Sequence, residues 1–384
     1  MRAYVLPDAR LARLAGRFVW LDIDTEKPAN APFLRAFPID SYPTLLVVDP
    51  RREAAVLRWT GTATAEQIER LALDGEREMR AASSPGLGGA ARGPDAALAR
   101  GDRLAAERRP ADAAAAYREA LAGAGASWRE RDRTAESLVQ VLAGAGDDAA
   151  CAAAAGKVLP QVLAAGRRAR LAAQGLACAL GIGDAAARDA ALRVLEPPAR
   201  AAAGAREVLA DDRSWLWSEL SEAREALGDA RGALADARRW LAFLDGEAAR
   251  ARTPAARAAL DGQRLDAAIR AGTPDRMLAP LLLSERELPG DFVPAQNLAR
   301  LYLELGRPAE ALAAARRALE NAEGPRRVRI RVLEADALDA LGRRAEARAA
   351  LEDAVRFAGE LPEGVRPARW SSEARARLER APGG

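Results

Sequence analysis

The chain has 384 residues, 58 basic side chains against 55 acidic ones, two cysteines and no histidine. That length allows two domains, or one domain with a repeat array. The missing histidine removes Ser–His and Cys–His nucleophilic pairs and the commonest zinc ligand. The net charge is only +3. Acids and bases alternate along the chain, which reads as solvated helix faces and not as a nucleic-acid footprint. Nearly all the positive charge is arginine, with Lys27 and Lys157 the only lysines, as a GC-rich genome would produce.

Residues 1–75 differ in character from the rest. Met1 to Ala15 reads as a helix with Leu11 and Leu14 toward a core. Phe18-Val19-Trp20-Leu21-Asp22-Ile23-Asp24 reads as a strand, being aromatic and β-branched with partial alternation. A short helix follows over Ala31 to Phe37. Thr44 to Val48 is a nearly continuous apolar run, expected of a strand buried on both faces. Asp49-Pro50 starts a turn, Ala54 to Thr60 forms another strand, and Ala65 to Leu73 is an amphipathic helix with Thr64 as N-cap.

This αβαββα order, with Phe18 to Glu26, Ser41-Tyr42-Pro43-Thr44-Leu45-Leu46-Val47-Val48-Asp49-Pro50 and Gly61, resembles the C-terminal part of a thioredoxin fold. The resemblance implies a cis bond before Pro43, facing a site where that family carries its cysteines. The family's CxxC and the strand leading into it would precede Met1. The sequence therefore suggests either a native chain that begins upstream or another segment filling the gap. In the first case a periplasmic location is open; if Met1 is the true start, a cytoplasmic one is expected.

Residues 76–94 read as a linker, with Ser83-Ser84-Pro85-Gly86-Leu87-Gly88-Gly89 rich in turn formers. Residues 95–384 are helical by pattern. Leu298, Ala299, Tyr302, Gly306, Ala311, Ala315 and Ala318 outline one helical hairpin. Ala335, Leu338, Gly342, Ala347, Leu351 and Ala354 outline the next, 36 positions on. Helix–turn–helix units recurring at about 34 residues resemble tetratricopeptide repeats. Gly101, Ala113, Tyr117 and Ala120 mark a first repeat. Weaker hairpins lie over Thr134–Val158 and Arg170–Leu195, and clearer ones over Ser214–Leu244 and Ala255–Pro289. Arg369 to Leu378 reads as a terminal capping helix. The expected fold class is thus α/β plus all-α: an incomplete thioredoxin-like segment followed by a helical repeat stack in which no hairpin buries its apolar face alone.

Cys151 and Cys178 sit in alanine-rich helical runs and read as small buried residues, with a disulfide as the other possibility. The acids Asp22, Asp24 and Glu26 could hold Mg²⁺ or do acid–base work, but read as solvated. Arg326, Arg327, Arg329 and Arg331 read as a helix face more than an anion site, and Trp215, Trp217 and Trp240 as packing between hairpins. In tetratricopeptide repeats the first helix of each hairpin lines a groove. The resemblance places Gln296, Arg300, Glu304, Asp336 and Asp339 there, with Tyr42, Pro43 and Thr44 as peptide-binding candidates from the front segment. The lysine and asparagine pattern that clamps an acidic tail in that family is not matched. The reading is a non-enzymatic scaffold for protein or peptide clients, with no catalytic residue, metal or cofactor, no nucleic-acid partner and no membrane span. Its plan looks like bacterial proteins that join a thioredoxin domain to such repeats, some of them co-chaperones. The alternative is a thiol–disulfide oxidoreductase whose CxxC lies upstream.

Overall fold

The computed structural model describes residues 5–6, 8–39, 43–61, 63–83, 93–205, 207–362 and 368–380. They fall into two compact units. The first comprises Met1–Val19 and Ile39–Asp236, and the second Trp20–Pro38 and Ala237–Gly384.

In the first unit, strands β1 (Thr44–Asp49) and β2 (Ala54–Thr60) pair antiparallel, with Leu45 opposite Trp59 and Val47 opposite Leu57. Helix α1 (Ala9–Ala12) and helix α3 (Ala65–Ser83) complete a small core with them, built on Leu11, Leu57, Trp59, Ile68 and Leu71. Thr64 and Gln67 start α3 with a reciprocal cap. Thr64 Oγ1 accepts from the Gln67 amide at 3.2 Å, and Gln67 Oε1 accepts from the Thr64 amide at 2.8 Å. Gly75 lets α3 lie against β1, because a Cβ there would come within 2.6 Å of Val47.

Helical hairpins follow. The first pairs α4 (Pro94–Ala106) with α5 (Pro110–Gly123), and the second α6 (Arg131–Gly144) with α7 (Asp148–Val158). The third pairs α8 (Ala165–Gly181) with α9 (Ala185–Ala203). Helix α10 (Ala210–Ala226) follows, and the division between units falls inside the next helix, α11 (Ala230–Arg250). One apolar core runs from Ala97 through Tyr117, Val139, Leu176 and Leu192 to Leu220.

The second unit holds a short helix, α2 (Ala31–Ala36), and α12 (Pro254–Ala258). Its hairpins are α13 (Asp261–Arg270) with α14 (Leu278–Glu287), α15 (Phe292–Glu304) with α16 (Pro308–Asn321), and α17 (Arg326–Ala340) with α18 (Arg344–Glu360). Helix α19 (Ala368–Arg380) packs on the last pair. Gly306 and Gly342 take φ of +66° and +75°, the left-handed conformation that ends a first helix, and the next amides reach back to Tyr302 and Leu338. In the first hairpin Arg108 takes the same role at φ +58°.

The helical hairpins stand where the repeats predict them, but the front segment departs from expectation. Residues 18–24 are not a strand. A strand exists only through a ladder partner, and among the described residues β1 and β2 pair only with each other. Val19 and Leu21 are instead 87% and 70% exposed. Of the predicted helix over residues 1–15, the described residues form a single turn, Ala9–Ala12, with Asp8 as its cap. Among the described residues a thioredoxin-like domain is not shown; the sheet is a two-stranded hairpin. Helix α3 also runs on past residue 75, well beyond the predicted Leu73.

Cys151 and Cys178 are bonded to each other, joining α7 to α8 with their Cα atoms 6.0 Å apart. The reading of two separate buried thiols is corrected here. The residues are as buried as expected, at 0% and 3% exposed. The packing of α7 against α8 brings together two positions 27 residues apart, which spacing alone could not show.

Candidate functional site: a groove on the first-helix face

In the first unit, α6 presents Arg133, Glu136, Ser137, Gln140 and Gly144 at helical spacing on one face, and α8 presents Arg167, Arg170 and Gln174. These rows meet through charge. Arg133 Nη2 lies 2.6 Å from Asp102 Oδ2 on α4, and the Tyr117 hydroxyl donates to Asp102 Oδ1 at 2.9 Å. Arg167 and Arg170 reach the two oxygens of Glu136 at 2.6 and 2.5 Å, and Arg170 Nη1 continues to Asp212 on α10 at 3.0 Å. Every side chain in these pairs is a tenth exposed or less. Asp102, Glu136 and Asp212 balance Arg133, Arg167 and Arg170, so the chain of pairs is neutral.

Burial raises the Asp102 carboxyl above its ordinary value, against the pull of Arg133 and the Tyr117 hydroxyl. Burial opposes the charge on Arg170, yet Glu136 and Asp212 outweigh it and hold the guanidinium more firmly protonated than usual. The result is a floor whose charges are paired with one another, with Arg133 Nε buried and unpartnered among the described residues.

Above this floor lies a groove of about 710 Å³. Gln140, Gln174 and Trp215 line it from α6, α8 and α10; Pro43, Arg58 and Gly61 line it from the β-hairpin. The Gly61 amide donates to the Pro43 carbonyl at 2.8 Å, closing the base of that hairpin. Trp59 packs inward, with the Arg167 guanidinium 5.4 Å from its ring centroid. Trp215 is half-buried and its indole N–H donates to Glu219 at 2.9 Å. The lining combines two aromatic side chains, Tyr117 and Trp215, two carboxamides and both signs of charge. It can bind by hydrogen bonds and stacking.

The sequence-predicted residues divide between the units. Pro43 lines the groove of the first, and Thr44 opens β1 opposite Thr60, half-buried. Tyr42, and with it the bond before Pro43, lies outside the described residues. In the second unit Gln296 is only 4% exposed and its Oε1 is buried without a partner. Arg300 donates to Asp266 at 2.6 Å, and Glu304 is exposed. Asp336 and Asp339 are both held by Arg377 of α19, at 2.5 and 3.2 Å. Burial raises the Asp336 carboxyl, opposed by that arginine. The capping helix therefore occupies the face on which those two acids were expected to meet a ligand.

Other candidates resolve into structural contacts. Arg326 pairs with Glu26 and lies over Trp370, and Arg327 donates to the carbonyls of Leu319 and Ala322, closing the turn into α17. Arg331 pairs with Glu334 and Asp353. Asp24 accepts from the Glu26 amide at 2.9 Å. Trp240 is buried in the second unit, as packing predicts. Among the described residues no cluster of three or more His, Cys, Asp or Glu side chains could hold a metal, and no helix is long and apolar enough to cross a membrane.

Sequence reasoning passed over Gln140, Gln174 and Arg58. For Gln140 a signal existed. Glu136 and Gln140 stand ten and six residues before Gly146, as Gln296 and Arg300 stand before Gly306. Both glycines have positive φ and end a first helix.

Residues 295–324 match the tetratricopeptide repeat family. That segment is the α15–α16 hairpin. No characterised protein matches the chain. Among solved structures, a tetratricopeptide repeat protein from Parabacteroides merdae is 13% identical, covers 71% of this chain and 98% of its own, and has a TM-score of 0.43. The TPR2AB domain of yeast Sti1, in complex with pHSP90, is 15% identical over 75% of this chain and 98% of its own, with a TM-score of 0.29.

Proposed function

We propose that the chain is a non-enzymatic scaffold whose first unit holds an extended polypeptide segment in the groove between α6, α8, α10 and the β-hairpin. One observation carries this reading: a floor of mutually neutralised side chains lies under a rim of Trp215, Gln140 and Gln174. Carboxamides can pair with the backbone of an extended chain, and an aromatic face supplies the anchor that dominates such contacts. In this reading the front segment, thioredoxin-like by its residues, contributes Pro43, Arg58 and Gly61 as one wall and no sulfur chemistry. The buried pairing of Cys151 with Cys178 supports an oxidising compartment such as a periplasm. Protein purified without reductant should then keep its mass after denaturation with iodoacetamide.

The binding test is a selection from a displayed library of random peptides on the full chain, followed by titration of the enriched peptides. They should bind the wild-type chain and lose about tenfold in affinity with Trp215→Ala. Peptides that bind both chains equally, or a library with no enrichment, would refute the proposal.

A further inference from the structure

A second cavity in the first unit has a different chemistry. It is a cleft of about 620 Å³ between α5 and α7, floored by α6. Its apolar surface comes from Leu121, Leu138, Ala150, Ala153, Ala154 and Val158. The reason for the space is in the sequence. Ala150, Ala153 and Ala154 put methyl groups along the α7 wall where larger side chains would close the gap.

The charged groups at this cleft are mostly cations. Arg118 and Lys157, both exposed, have no ion-pair or hydrogen-bond partner for their side chains among the described residues. Arg131 donates only to neutral oxygens, Gln161 Oε1 at 2.5 Å and the Ala124 carbonyl at 3.3 Å. The one carboxylate in the lining is Asp132, whose Oδ2 already accepts the amides of Leu163 and Ala164 at 3.0 and 2.9 Å. Elsewhere in these hairpins arginines find acids, as Arg100 finds Glu119 and Arg109 finds Asp112. Here three cations face one acid that two backbone donors have engaged.

We propose that this cleft binds a long-chain carboxylic acid, with its acyl chain along the alanine wall of α7 and its carboxylate among Arg118, Arg131 and Lys157. The volume falls in the range of small-ligand sites, about 300–1,000 Å³. The charge selects an anion, and the wall selects methylene groups.

The test uses the full chain and dodecanoate, titrated calorimetrically beside dodecanol and dodecyltrimethylammonium. Dodecanoate should bind saturably at one site, more tightly than dodecanol, and the cationic amphiphile should not bind. The double variant Arg118→Glu with Lys157→Glu should weaken dodecanoate by about tenfold or more. Both residues are exposed, so the thermal midpoint should stay at the wild-type value. Ala153→Phe, also at an exposed position, should abolish binding by filling the cleft. No saturable heat up to about 1 mM would overturn the proposal, as would equal affinity for the cationic amphiphile or unchanged affinity in the charge-reversed chain. Concentration-dependent dimerisation that Ala153→Phe abolishes, with no dodecanoate uptake, would also overturn it and assign the cleft to a second copy.

Discussion

The two units stack the same kind of hairpin and join successive first helices by different means. In the first, Asp102–Arg133, Glu136–Arg167, Glu136–Arg170 and Arg170–Asp212 link α4, α6, α8 and α10 through side chains a tenth exposed or less. In the second, the corresponding links are open. Arg300 and Asp266 are 25% and 44% exposed, and Arg377 and Asp336 are 20% and 37%. A buried pair repays its desolvation only when its geometry and its other hydrogen bonds are complete. In the first unit charge pairs thus join the first helices, although Arg133 Nε stays buried without a partner among the described residues. The second has a buried pair as well, Arg264 with Asp261 at 3.1 Å, but it lies within α13, and small side chains such as Ala299, Ala315 and Ala318 are fully buried in its hairpins.

The strongest way to break this contrast is Glu136→Ala, which leaves Arg167 and Arg170 buried with one acid between them. Removing one partner of a buried pair costs about 3–5 kcal/mol, whereas Arg300→Ala in the second unit should cost about 0–1 kcal/mol. Urea unfolding gives the magnitudes. Hydrogen exchange gives the location: α6 and α8 should lose protection while α15 to α18 keep theirs. Equal costs in the two units would show that burial of the pairs is irrelevant.

The disulfide sharpens the same contrast. Cys151 stands five residues after Gly146, where Ala311 follows Gly306 and Ala347 follows Gly342. Replacing both cysteines by alanine thus gives the first unit the residue the second already uses at that position, and removes the cross-link. The expected loss is about 2–4 kcal/mol, read as a lower thermal midpoint that reductant no longer changes.

Next in size is Gly101→Ala. Gly101 stands seven residues before Arg108, as Ala299 stands before Gly306. Alanine for glycine inside a helix would ordinarily gain up to about 1 kcal/mol. Here the new Cβ would meet Tyr117 at 2.5 Å, and Tyr117 is held by its bond to Asp102. Overpacking should win, with a net loss of about 1–3 kcal/mol in a urea titration. A stabilised variant would mean that the tyrosine yields.

These cases show what the sequence could and could not reveal. The α15–α18 hairpins were legible because steric packing leaves a spacing: Gly306 and Gly342 mark the turns, with alanines at fixed distances after them. The α6–α9 hairpins were faint because their first helices are joined by Arg133, Glu136, Arg167 and Arg170, which in a sequence look like ordinary solvated charges. Residues 18–24 misled for a different reason. Composition can favour a strand, but pairing decides it, and here no neighbouring strand takes part. Of the groove, Pro43 was legible from the front segment. Gln140 had a signal in its distance from Gly146 that the weak pattern of its hairpin obscured, and Gln174 had none.

The smallest expected effect tests whether partly exposed charge also contributes in the first unit. Glu196 on α9 accepts from Arg200 at 2.8 Å and Arg224 at 3.1 Å, and both arginines also reach the fully buried Asp236. Burial pushes the Glu196 carboxyl up, but the bonds and charges of the two arginines outweigh it, and the net shift is downward. A carboxylate with a depressed folded-state pKa adds stability above its unfolded value, near 4.5. That stability is lost as pH falls through the lower folded value. Glu196→Gln should therefore lower the urea midpoint at pH 6 to the extent of about 0.5 kcal/mol, the scale of an exposed pair, and the deficit should shrink as pH falls below 4.5. Between about pH 5.5 and 8 it should stay constant, because a chain without histidine has no ordinary side chain titrating there. Other carboxyls shift in both chains alike, so the difference between wild type and variant isolates Glu196. A deficit that grew on acidification would mean that burial, and not the arginines, controls this group.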